Sequence, residues 1–170
     1  MSKKNIVLSI ILGLFFIVSS YLGLHRLGGF WLPSIIAITG VILICILVAL
    51  NVKKENGGYA SFGNLIKHFV ITISIATIIG SIFGIIQLSI MDESQKEAIV
   101  ERTIDTMIDM YSNLGLNEKQ LSDMEDALEK KMSDIFSPST LFLDAITQFF
   151  LYILISLIPA AIMKKNPSVT

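Results

Sequence analysis

The 170-residue chain is 53% hydrophobic and 16% charged, with a formal net charge of −1 and a mean hydropathy of +0.72. Soluble domains carry about 25% charged residues, so an ordinary water-soluble globule is excluded. The single cysteine, Cys45, excludes a disulfide framework or a four-ligand zinc centre within one chain.

The near-zero net charge conceals a polarised molecule. From Asp92 to Ser139 there are twelve acidic and five basic residues, whereas the remainder holds two acidic and eight basic. Between these charged stretches lie four apolar runs. A bilayer core needs about 20 helical residues to cross it, and each run is long enough. Cys45 falls inside one of them and reads as a small core residue.

The first predicted span runs from about Asn5 to Leu24, behind Lys3 and Lys4. Val18-Ser19-Ser20 resembles a signal-peptidase site, but apolar character continues through Leu24, so a retained span is expected. The second span covers Phe30 to Leu50, with Pro33 near its start, where a helix tolerates a missing amide.

A polar stretch follows, Asn51 to Phe69, rich in glycine and lysine. A Walker loop needs glycine followed by lysine and then serine or threonine; here Gly63 precedes Asn64. The stretch is predicted to be a membrane re-entry turn. Gly57 and Gly58 supply backbone angles closed to other residues, and Ser61 caps the next helix with Asn64 at its third position. Tyr59 and Phe62 suit the interfacial layer, Gly63 completes the turn, and Lys67 reaches toward headgroups.

The third span is placed at Leu65 to Met91. Ala76, Gly80 and Gly84 form a small-residue stripe down it, a candidate helix-packing face. Ser9 and Gly13 in the first span offer a similar surface. Packing within the bundle is expected, with a homodimer seam as the alternative.

The acidic segment reads as two amphipathic helices. Ser94 and Glu97 fit a capping box, and Val100, Ile104, Met107, Ile108, Tyr111 and Leu114 recur at helical spacing. Gly115 supplies a left-handed stop. Asn117 with Gln120 opens a second helix, striped by Leu121, Met124, Leu128, Met132 and Ile135, and Ser137-Pro138-Ser139 ends it. The two stripes must bury against each other, the ends of the spans or a partner. Acids around Asp123, Glu125 and Asp126 lack the glycine of an EF-hand loop.

The fourth span runs from Leu141 to Met163, and Pro159 bends its last turn without breaking it. Lys3, Lys4, Lys53, Lys54, Lys67, Lys164 and Lys165 would share one side, against Arg26 alone in the short opposite connection. The positive-inside rule then puts both termini and the re-entry turn in the cytoplasm and the acidic segment outside. The expected fold class is all-α: an integral membrane four-helix protein with an extracytoplasmic amphipathic hairpin between spans three and four. Its divisions are 1–91, 92–139 and 140–170.

Polar residues in a span are functional candidates by default. Asp144, Gln148, Gln87, His25 and Arg26 are predicted at one outer level. Asp144 either pairs with Arg26 or accepts from Gln87, or these groups floor a shallow outward pocket for an ion or small ligand, or Asp144 is simply exposed. The midplane holds no charge, against a coupled pump. His25 and His68 fall on opposite sides, and no nucleophile has a base and orienting acid at recognisable spacing. No catalytic residue, metal or cofactor is expected.

Gly57-Gly58-Tyr59-Ala60-Ser61-Phe62-Gly63, followed by a polar first turn and a small-residue helix, resembles the motif of the bacterial family catalogued as domain of unknown function 4199. Leu114-Gly115-Leu116-Asn117-Glu118-Lys119-Gln120-Leu121 is similar to it as well. The resemblance covers nearly the whole chain and implies four spans with a helical segment between the third and fourth. It implies no activity. The resemblance implies an acid-proline pair after the third span, and the chain departs from it there, since Met91-Asp92-Glu93 has no proline.

The function these features imply is a non-enzymatic structural or interaction component of an envelope assembly in the bacterial inner membrane. The alternative is a small transporter or channel-like protein using the outer polar cluster. The lipid bilayer is the expected partner, with a protein partner at the hairpin and a homo-oligomer as candidates, and no nucleic acid.

Overall fold

A computed structural model describes residues 2–25, 31–132 and 135–165. Within them are six helices: α1 (Lys3–His25), α2 (Leu32–Glu55), α3 (Phe62–Ser89), α4 (Glu93–Asn113), α5 (Glu118–Met132) and α6 (Pro138–Met163). The apolar runs became α1, α2, α3 and α6, each long and apolar enough to cross a bilayer. In lipid a helix satisfies its own backbone groups, and the chain is a multi-pass membrane protein.

Helix ends fall where side chains cap them. Helix α2 extends to Glu55, beyond the expected Leu50, with Lys53 and Lys54 facing the negative end of its dipole. Asn56 Nδ2 closes it by donating to the Val52 carbonyl at 2.7 Å. The next helix, α3, starts at Phe62 rather than Leu65, because Ser61 Oγ accepts from the Asn64 amide at 3.3 Å. It ends at Ser89 rather than Met91. At α6, Ser137 Oγ accepts from the Thr140 amide at 3.3 Å and Pro138 takes the first helical position. The Ser-Pro-Ser stretch therefore opens a helix.

The capping box of α4 lies two residues before the expected Ser94–Glu97 pair. Asp92 Oδ1 accepts from the Gln95 amide at 2.8 Å, and Gln95 Oε1 accepts from the Asp92 amide at 3.2 Å. A carboxylate at the cap also meets the positive end of the helix dipole, so the aspartate displaces the serine. Ser94 donates its hydroxyl to the same Asp92 oxygen at 2.8 Å.

Two compact units result: Met1–Ile85 with Ala145–Thr170, and Ile86–Asp144. In the first, helices pack through small residues. A Cβ on Gly40 would lie 2.8 Å from the Phe15 ring, and one on Gly13 2.9 Å from Ile79 Cγ2. At Gly80 it would lie 3.0 Å from Phe16 Cβ, and at Gly84 3.9 Å from Ser20 Oγ. Contacts at 13 with 79, 16 with 80 and 20 with 84 rise together, so α1 and α3 run parallel. Ala76, on the same stripe, is fully buried. Phe16 also stacks on Tyr152 of α6, with ring centroids 4.7 Å apart. Leu12, Val41, Cys45, Val48, Phe69 and Ile73 fill the core between these contacts.

In the second unit α4 and α5 pack on each other. Ile104 is buried, while Val100, Met107, Ile108, Tyr111, Leu121, Met124 and Leu128 are half-buried. Between the helices Gly115 takes φ 88°, and the Leu116 amide reaches back to the Tyr111 carbonyl at 3.3 Å. Leu114, expected in the α4 stripe, instead occupies the cap position and is 70% exposed. Asn117 and Gln120 exchange amide bonds of 3.0 and 3.1 Å, a second capping box.

Candidate functional site

Of the five residues assigned to the outer polar cluster, Arg26 and the His25 side chain lie outside the described residues. Gln87 of α3 is buried, and its Oε1 has no hydrogen-bond partner among the described residues. Asp144 and Gln148 of α6 are exposed. No hydrogen bond joins Gln87 to Asp144 among the described residues, so Asp144 is not held inward by that amide. Gln87 and Asp144 belong to the second unit and Gln148 to the first.

The most connected polar set lies at the opposite end of α1. Asn5, in the first turn of that helix, is fully buried, and its Oδ1 accepts from Asn51 Nδ2 of α2 at 3.2 Å. Ser9, a turn further along, is also fully buried and donates to the Asn5 carbonyl at 2.8 Å. The start of α1 is thereby fastened to the end of α2. A buried amide in hydrocarbon is costly unless partnered; the neighbouring span satisfies the Asn5 oxygen, while its Nδ2 has no partner among the described residues.

The re-entry turn joins the same end. Gly57 and Gly58 take φ values of 63° and 93°, a conformation side-chain-bearing residues rarely adopt. The Gly58 amide donates to the Lys53 carbonyl at 2.7 Å, finishing α2. Beyond it Ala60 and Lys165 exchange two backbone hydrogen bonds, both 2.9 Å. Lys165 Nζ stands 5.6 Å from the centre of the Tyr59 ring, within cation–π reach. Phe62 is exposed, and Gly63 has open space where a Cβ would stand.

These contacts bring the α1 start, the α2 end, the turn and the α6 end together. Lys3, Lys4, Lys53, Lys54, Lys164 and Lys165 consequently share one end of the first unit. Sequence reading grouped the lysines but missed Asn5, Ser9 and Asn51. The four-residue spacing of Asn5 and Ser9 was an available signal; the pairing with a residue 46 positions away was not.

Chemically, this end can bind anions and hold helices together. Among the described residues no three His, Cys, Asp or Glu side chains gather closely enough to hold a metal ion. Cys45 is buried.

No curated protein matches the chain, and no solved structure does. Over residues 6–165 it matches the family described as "Protein of unknown function (DUF4199)". That span takes in the hairpin and the four apolar helices apart from the first three residues of α1, and the chain belongs to this family.

Proposed function

We propose that the protein is a non-enzymatic interaction component of a bacterial inner-membrane assembly. The bundle anchors it, and the acidic α4–α5 hairpin is its extracytoplasmic contact. Both termini and the turn at 56–61 lie in the cytoplasm. The gathering of six lysines at one end of the bundle supports this orientation through the positive-inside rule.

The observation that carries the interaction reading is the hairpin tip. Leu114 is 70% exposed and Met110 39% exposed on an otherwise acidic surface. An apolar tip rimmed by charge is the usual anatomy of a protein contact. The buried polar side chains among the described residues are Asn5, Ser9, Thr72, Gln87 and Ser156, none of them charged. Such an interior suits a scaffold better than a proton- or ion-coupled carrier.

A photo-crosslinking residue at Leu114 in native membranes tests the reading. A discrete protein adduct at Leu114, absent from the same probe at Ile78 on α3, is expected; identical products at both positions overturn it. An adduct of twice the chain mass identifies a homo-oligomer. The buried Gln87 Oε1, without a partner among the described residues, favours one second reading, a small channel or carrier. Solute flux in reconstituted vesicles, abolished by Asp144→Asn, is its signature.

A further inference from the structure

At the basic end, α1 and α2 leave between them an open groove of about 520 Å³, lined by Lys3, Lys4, Val7, Leu8, Leu47, Leu50 and Asn51. Its composition is graded along the helices. The two lysines stand in the first turn of α1, and Asn51 stands near the end of α2. The aliphatic side chains lie deeper along the spans. Val7, Leu47 and Leu50 are 55%, 44% and 49% exposed, and both lysines are exposed. Neither lysine has a carboxylate within ion-pair distance among the described residues.

We propose that this groove is a binding site for an anionic phospholipid. The two ammonium groups hold the phosphate, and the valine and leucines hold the upper part of one acyl chain. Four observations converge on that occupant. Two adjacent uncompensated cations match an anionic headgroup, and basic pockets between spans hold such headgroups. The apolar floor begins within one helical turn of the charges, as the glycerol and first methylenes of a lipid require. The groove's size falls within the range of small-molecule sites, about 300–1,000 Å³. Asn51 is held in place by its bond to Asn5, so the amide at the rim is preorganised. The other lysines near this end are not on the groove: Lys165 lies against Tyr59, and Lys53, Lys54 and Lys164 do not line it. The site depends only on the chain's spanning a membrane, not on the hairpin or its partner.

Native mass spectrometry of the full-length protein from detergent micelles reads the site directly, using phosphatidylglycerol and phosphatidylcholine of identical acyl chains. Phosphatidylglycerol should be retained about ten- to thirtyfold more tightly, the effect of two surface lysines on an anionic lipid. In Lys3→Gln/Lys4→Gln this preference should fall to nearly one, whereas Lys164→Gln/Lys165→Gln should keep it. Leu50→Trp, which fills the apolar floor from an exposed position, should weaken both lipids while the thermal midpoint stays unchanged. Equal retention of the two lipids by the unsubstituted protein overturns the proposal. So does an equal loss in both lysine pairs, which marks a diffuse surface attraction. Retention unaltered by Leu50→Trp overturns the placement of the acyl chain.

Discussion

The two units of this protein are both helical yet cohere by different physics. In the membrane unit the contacts that matter are the smallest: Gly13 under Ile79, Gly40 under Phe15 and Gly80 under Phe16. Lipid is as apolar as leucine, so helices gain little by hiding leucine from it and must approach closely instead. Many of their large apolar side chains accordingly point outward, Ile78, Ile82 and Leu154 among them. The hairpin obeys the opposite rule. Its described acids are exposed, Ile104 and most of the described stripe residues are buried or half-buried, and each helix start is capped by a reciprocal side-chain pair. Solvent, rather than helix propensity, decides which residues are structural.

The sharpest way to break that contrast is to enlarge a glycine. Gly40→Ile should destabilise the bundle by about 1–3 kcal/mol, the usual cost of overpacking, and Gly80→Ile somewhat less, since its nearest neighbour is slightly farther. Thermal unfolding in micelles should show both, with hydrogen exchange at 93–132 unchanged. A drop in exchange protection of the hairpin instead would erase the distinction between the units.

The converse variant is Ile104→Ala, which removes the one buried side chain described on α4. A cost of about 2 kcal/mol is expected, read as faster exchange along α4 and α5 with the bundle midpoint unmoved. Smaller again is Asn51→Leu. It deletes the bond to Asn5, and hydrogen bonds between spans average about 0.6 kcal/mol. Added exposure of the Asn5 amide to exchange reagents should accompany that small loss.

The least effect comes from acid. Hydrogen bonds from the Gln95 amide and then the Ser94 hydroxyl hold the Asp92 carboxyl below its ordinary 3.8. A depressed value in the folded state means the cap's contribution is fully present above 3.8 and is lost as pH falls through the lower, folded value. Exchange protection in the first turn of α4 should thus hold constant from pH 7 to about 5 and decline below 3.8. In Asp92→Asn the decline should flatten.

The spans were legible because a run of about 20 apolar residues has few other interpretations. The glycine turn was legible too, since Gly57, Gly58 and Gly115 sit where only a positive φ closes the chain. Boundaries were less so. Around residue 92 two overlapping patterns, Asp92 with Gln95 and Ser94 with Glu97, both satisfy the capping rule; cap preference ranks aspartate and serine about equally, and only the helix dipole separates them. Ser137-Pro138 likewise serves either as a stop or as a start. Least legible was the Asn5–Asn51 bond. It depends on two helices meeting in register, information held in the packing and not in either local pattern.

The reciprocal bonds between Ala60 and Lys165 carry one further consequence. They turn everything from residue 61 to 164 into a ring sealed by a two-bond clasp. A ribosome delivers Ala60 long before Lys165, so the clasp stays open until α6 has been inserted. Slow exchange at these two amides would then serve as a molecular receipt that α6 is in place, and any chain stalled before it would leave Ala60 unprotected.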